Sequence, residues 1–293
     1  MSIRNTLVKA YMRLTNYKAS GDELTLEERQ KDNLPEPPAD VAEKTPCEKL
    51  EVEGARAVWL NKQNSKNGAL VYLHGGSYIA GPFRDQWLYL ADMCRRTQMA
   101  ALLVDYRLAP QNPFPRGLDD VVTIVKTLRA KGDLPENWFL AGDSAGAGLA
   151  MATVYKLRET DAGLPKKLIL MSGWFDVTLE NPDIEKNYNQ DPMLSRGRLS
   201  ESANSYVGSD NPKNPLISPL YGDVSLLPPT LIQIGTSDIF LWENRALHRK
   251  CQDAAVIVQY EEYPNTFHDF MMVGFLPEAQ KARKAQVEFL LKS

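Results

Sequence analysis

Histidine is scarce in this chain: only His74, His248 and His268 occur among 293 residues. Chemistry that needs an imidazole as proton acceptor therefore has three candidates. Cysteine is equally sparse. Cys47, Cys94 and Cys251 are odd in number, widely spaced and outside any Cys-x-x-Cys or Cys/His cluster. That pattern argues against a disulfide framework or a zinc site and fits a reducing compartment. No apolar run approaches the ~18 residues of a membrane-spanning helix, and the first residues lack the continuous apolar core of a secretory signal. A cytoplasmic protein is expected. The formal net charge of −3 leaves no basic footprint for nucleic acid. Neither Gly75-Gly76 nor Gly142, Gly146 and Gly148 follow Gly-x-Gly-x-x-Gly spacing, and there is no P-loop, which argues against a nucleotide-dependent enzyme.

Against these absences stands one segment, Phe139-Leu140-Ala141-Gly142-Asp143-Ser144-Ala145-Gly146. An apolar strand runs into Gly-x-Ser-x-Gly and then into a helix of small residues. A serine on so sharp a strand-to-helix turn has its hydroxyl pushed clear of the sheet, and Gly142 and Gly146 let the two elements pass. The new helix also puts free N–H groups beside the serine. Ser144 is the candidate nucleophile.

A serine hydroxyl needs a base within hydrogen-bond reach. His248 sits in a strongly polar helical stretch and reads as a solvated helix-face residue. His74 directly follows the apolar strand Ala69-Leu70-Val71-Tyr72-Leu73 and opens a glycine turn. His268 lies in a loop beyond the alternating strand that ends at Tyr263, where α/β scaffolds carry reactive groups. His268 is the base candidate, expected to titrate near the ordinary histidine value of about 6.5. The carboxylate that orients it is Asp238, after the strand Thr230-Leu231-Ile232-Gln233-Ile234-Gly235, with Asp176 as a rival one strand earlier. Either aspartate could instead be a helix N-cap. Within His74-Gly75-Gly76-Ser77, the amides of Gly75 and Gly76, with that of Ala145, are the candidate oxyanion hole. His74 itself is expected to brace the loop.

Taken together, these segments resemble the bacterial hormone-sensitive-lipase-like family of α/β-hydrolases, which includes acetyl esterases, other short-chain carboxylesterases and ε-lactone hydrolases. Asp105-Tyr106-Arg107-Leu108-Ala109-Pro110, Ser218-Pro219-Leu220, Gly235-Thr236-Ser237-Asp238 and Phe267-His268-Asp269-Phe270 extend the likeness over nearly the whole chain from about residue 37. Ser77 departs from the family pattern, where a third glycine is usual, and Gln111 stands where glutamate is common. The resemblance implies a carboxylic-ester hydrolase for short acyl chains, working through Ser144, His268 and Asp238 without metal or organic cofactor. A lactone hydrolase with the same site is the nearest alternative. A non-catalytic small-molecule-binding protein on the same scaffold is the alternative from another class.

The expected fold is an α/β-hydrolase: a mostly parallel eight-stranded sheet flanked by helices, with a helical cap. Strands are read near 47–53, 55–61, 69–74, 100–105, 138–142, 168–172, 230–235 and 256–263, the first two as an antiparallel hairpin. Helices are read near 84–98, 116–131, 144–160, 240–253 and 277–292. Residues 46–176 and 223–293 form the catalytic domain. Residues 1–45 and the inserted 177–222, with a helix near 196–206, form the cap, since so long a connection should have a job of its own. Ile3, Leu7, Tyr11 and Leu14 lie on one face of the first helix and are expected to pack over the pocket mouth. The alternative is a membrane-surface helix, because residues 1–20 carry Arg4, Lys9, Arg13 and Lys18 and no acid. Expected partners are a small-molecule ester and, through an exposed sheet edge, a second copy in a homodimer. No stable membrane association is expected.

Overall fold

Near-continuous apolar runs give central strands whose two faces are both buried. In the computed structural model, which describes residues 2–292 apart from the side chains of Asp22 and Leu226, α1 (Ile3–Leu14), α2 (Tyr17–Asp22), α3 (Leu26–Gln30) and α4 (Ala39–Ala42) precede the sheet. There follow β1 (Cys47–Val52), β2 (Ala55–Leu60), β3 (Ala69–Leu73), α5 (Arg84–Thr97), β4 (Ala100–Asp105), α6 (Arg116–Lys131), β5 (Trp138–Asp143), α7 (Ala145–Leu157) and β6 (Leu168–Met171). An inserted segment carries α8 (Ile184–Tyr188) and α9 (Arg196–Val207), and β7 (Thr230–Gly235), α10 (Leu241–Asp253), β8 (Val258–Tyr263) and α11 (Pro277–Leu291) close the chain.

The eight strands form one sheet in the order β1-β2-β4-β3-β5-β6-β7-β8. β2 is antiparallel to both β1 and β4, and every other pairing is parallel. Successive residues point to opposite faces of a strand. Val71 and Leu73 of β3 therefore join one core layer, and Leu70 and Tyr72 the other. Helices cover both layers, which is why β3 to β7 are buried end to end.

This topology sends the loops after β3, β5, β7 and β8 to one end of the sheet, where α/β proteins build their sites. The expected strands and main helices are all present, with shifts of at most three residues at their ends.

One expectation is overturned. Ile3, Leu7, Tyr11 and Leu14 do not pack over the pocket: they are 63–85% exposed. α1 is held by its opposite face, where Asn5 is buried and donates to the Asn265 carbonyl at 3.0 Å. Lys9 donates to Ser237 Oγ at 2.7 Å on the same side. Polar bonds to the loops after β7 and β8 thus set the roll of this helix against its apolar pattern.

Candidate active site

Ser144 occupies the turn between β5 and α7 at φ 52°, ψ −121°, a left-handed conformation that an L-residue adopts only when its surroundings enforce it. The enforcement is visible at the two glycines. A Cβ on Gly142 would strike the Gly146 carbonyl, and one on Gly146 would strike the Leu73 carbonyl of β3. The Ser144 amide is tied back to Met171 at 2.8 Å, so the side chain is left facing a cavity of about 650 Å³. His268 and Gly76 line the same cavity.

His268 and Asp238 meet as expected. Asp238 is fully buried; its Oδ2 accepts from His268 Nδ1 at 3.0 Å and its Oδ1 from the Phe240 amide at 2.9 Å. Phe240 packs against the imidazole edge at 5.4 Å, which fixes the ring plane. Asp176, the rival acid, is committed elsewhere. It accepts from the amide and hydroxyl of Thr178 and from Tyr221 at 3.0 Å. His248 is half-buried and stacked on Tyr260 at 4.3 Å, rather than solvated. His74 braces the glycine loop: its Nδ1 bonds the Gly75 carbonyl at 2.8 Å and its ring stacks on Tyr106. Burial lowers its pKa to about 4, so it stays neutral.

Two features of the site went unread in the sequence. The first concerns the donors. The Gly75 amide, expected to face the substrate, donates instead to Asp143 Oδ1 at 2.9 Å. Asp143 also accepts from Tyr72 and from Gln86 Nε2, and these bonds hold the glycine loop against β5. Among the described residues, the amides of Gly76, Ser77 and Ala145 make no hydrogen bond. Ser77, which sits at φ 55°, thus offers an amide where Gly75 does not. Gln111 is exposed, and nothing in the structure gives that departure from the family pattern a role.

The second is Asp269. Its Oδ2 lies 3.1 Å from His268 Nε2, the nitrogen that a serine nucleophile would need. No hydrogen bond links Ser144 to His268 among the described residues. Asp269 stands at φ 52°, and its amide donates to Ser172 Oγ at 3.1 Å, which turns its side chain back over the ring. Burial opposes charge on His268, yet the carboxylates of Asp269 and Asp238 outweigh it and hold the ring's pKa well above the ordinary histidine value. Burial, with Asp269 adding to it, pushes the Asp143 carboxyl up to about 7. Burial also raises the Asp269 carboxyl against the pull of His268, and its Oδ1 is buried without a hydrogen-bond partner among the described residues. The acid beside the histidine was legible in the sequence; its direction was not.

The remaining wall comes from both ends of the expected cap. Tyr17, Leu24 and Arg29 from the N-terminal segment and Met193, Leu194 and Leu199 from the insertion line the cavity. Arg29 ties the two together through Glu201 at 2.7 Å. Beneath them, Asn187 of α8 donates to the carbonyls of Thr236 and Asp238, and Asp191 accepts from the Ile239 amide at 2.9 Å. Burial and the nearby Asp238 raise Asp191 to about 6. The insertion therefore supports the Asp238 loop as well as covering the cavity. Among the described residues no group of acidic, cysteine or histidine side chains is arranged to hold a metal, and no helix is long and apolar enough to cross a membrane.

A family model described as alpha/beta hydrolase fold matches residues 70–272. An esterase of Acinetobacter venetianus is 32% identical over 242 residues, covering 82% of this chain and 80% of that protein. An acetyl-hydrolase of Streptomyces hygroscopicus is 33% identical over 259 residues, covering 88% and 84%. Among solved structures, an esterase from the bacterial hormone-sensitive lipase family superposes with a TM-score of 0.88 at 30% identity, over 100% of this chain and 98% of that one. The esterase EstE5, in crystals soaked with p-nitrophenyl butyrate, superposes at 0.88 with 28% identity, over 99% and 98%.

Proposed function

The chain belongs to the hormone-sensitive-lipase-like branch of the α/β-hydrolases, and from that premise we propose that it is a serine carboxylesterase acting on short-chain acyl esters. The observation that carries this reading is the buried Asp238–His268 pair, joined at Nδ1, in one cavity with a serine on a strained strand-to-helix turn.

Ser144 Oγ attacks the ester carbonyl and gives its proton to His268 Nε2, while Asp238 holds the ring in one tautomer and stabilises the imidazolium. For this step Nε2 must leave Asp269, whose negative charge then stays beside the cation it helped to form. The oxyanion is met by the amides of Gly76, Ser77 and Ala145, which have no hydrogen-bond partner among the described residues. His268 next returns the proton to the leaving alcohol, which leaves the acyl group on Ser144. A water then gives its proton to His268 and attacks the acyl carbonyl, and Ser144 recovers the proton as the acid departs. Side chains and amides of the chain handle every proton and charge in these steps.

A cavity of about 650 Å³ with charged residues such as Arg29 and Asp85 in its wall favours small acyl groups. Each methylene beyond the filled pocket adds little. The test is a series of nitrophenyl esters beside a panel of lactones. The proposal expects the highest kcat/KM among acyl chains of roughly two to six carbons. A preference for lactones, or for acyl chains well beyond that range, would overturn the substrate assignment.

A further inference from the structure

α1 is mounted inside out. Ile3, Leu7, Tyr11 and Leu14 recur at helical spacing and fall within one stripe roughly 80° wide. A surface helix ordinarily buries such a stripe, yet here the four side chains are 79%, 63%, 66% and 85% exposed. The side toward the body carries Asn5, Val8, Lys9 and Met12 instead. The helix is not free to roll over and hide its apolar face. Besides the bonds of Asn5 and Lys9, Arg4 donates to the Phe275 carbonyl at 3.0 Å and Arg13 to the Gln190 carbonyl at 3.4 Å.

We propose that this outward face of α1 seats the protein, reversibly and in the plane of the surface, on an anionic lipid bilayer. The charge pattern selects that occupant. Residues 2–20 contain four basic and no acidic residues in a chain whose net charge is −3. Arg4 and Arg13, both exposed, flank the stripe on its two sides. An apolar stripe edged by cations is the arrangement of helices that lie in the headgroup region of anionic membranes. A second copy fits less well. A two-fold contact through α1 would bring the same basic residues together. A helix of 12 residues is only about 18 Å long and about 10 Å across, a footprint of about 180 Å² that falls well short of the ~800 Å² per partner of a stable interface.

The stripe also leads to the site. Tyr17 and Leu24, themselves 46% and 40% exposed, follow Leu14 in the chain, and both line the cavity that holds Ser144. Phe275, 60% exposed, adds apolar surface on the side of Arg4. Seated this way, the protein would present the cavity mouth to acyl esters partitioned into the surface. That last consequence rests on the esterase reading; the docking itself does not.

The experiment is flotation of the full chain with vesicles of phosphatidylcholine alone or with about 30 mol% phosphatidylglycerol, at low salt and at about 0.5 M salt. Native protein, Ser144→Ala and the double variant Leu7→Glu/Leu14→Glu are compared, with circular dichroism and turnover of a water-soluble ester as controls. Native protein and Ser144→Ala should float with the anionic vesicles about tenfold more than with phosphatidylcholine, and high salt should release them. Leu7→Glu/Leu14→Glu should lose about tenfold of that binding while keeping its circular dichroism and its turnover of the soluble ester. No native flotation, or flotation equal for both compositions and both salts, overturns the proposal. So does a native dimer that the double variant dissociates, which would make the stripe a contact between copies. An inactive protein that still floats would instead overturn the esterase reading and leave the docking intact.

Discussion

Asp269 Oδ2 lies 3.1 Å from His268 Nε2, on the side of the ring opposite the 3.0 Å contact between Asp238 and Nδ1. The resting imidazole is therefore held between two carboxylates, with Asp191 behind Asp238 and Asp143 behind Asp269. Such a ring favours its proton, and a protonated ring cannot accept one from Ser144.

The pH profile should report this. Because the pKa of His268 is raised, the ring becomes neutral only at higher pH, and kcat/KM should rise through an ionisation above the ordinary value of about 6.5. Asp269→Asn removes the carboxylate on Nε2 and should move that midpoint to lower pH. If the midpoint stays put while the rate falls equally at every pH, Asp269 is structural and its pairing with Nε2 does not govern the base.

The triad residues should fail as a unit. Ser144→Ala and His268→Ala should each lower turnover by roughly 10⁴-fold or more, and the double variant should be little worse than either. Asp238→Asn should fold and lose about 10⁴-fold through the wrong tautomer. Asp176→Asn should stay active, since its carboxylate serves Thr178 and Tyr221. Steady-state kinetics showing the reverse for the two aspartates would reassign the acid.

At Ser77 the amide, not the hydroxyl, is assigned to the oxyanion. Ser77→Ala and Ser77→Gly should both keep kcat within a few-fold, whereas loss of one such donor typically costs about 10²–10³. A drop of that size in Ser77→Ala would mean that the hydroxyl takes part directly.

The N-terminal segment reaches the same loop. Asn33 Oδ1 accepts from the Gly81 amide at 2.6 Å, the Leu34 amide donates to the Pro82 carbonyl, and Gln30 Nε2 donates to the Ile79 carbonyl. Asn33→Ala should loosen the loop that carries Gly76 and Ser77 and lower kcat by about tenfold, with KM less affected. An effect confined to KM would place Asn33 in substrate binding alone.

The strand-to-helix turn at Ser144, the placing of Asp238 and His268 in strand-end loops and the eight strands were legible because each rests on short-range pattern: glycine spacing, apolar runs and strand-end loops. The exchange of β3 and β4 in the sheet order was not, since strand order depends on how helices pack across both faces. Gly75 shows a second limit. Its adjacency to Gly76 gave no sign that its amide would turn to Asp143, a bond formed only once β3 and β5 lie side by side. α1 shows a third. Periodicity located its apolar face, but Asn5 and Lys9, bonded to loops more than two hundred residues away, decided which face turns inward.

The central claim is that Ser144 is a nucleophile activated by His268. Its most direct test is titration with a serine-directed fluorophosphonate, read by intact mass and peptide mapping. The account predicts one label per chain, on Ser144, absent in Ser144→Ala and formed far more slowly in His268→Ala. A native, folded protein that takes no label, or carries it on another residue, would contradict it.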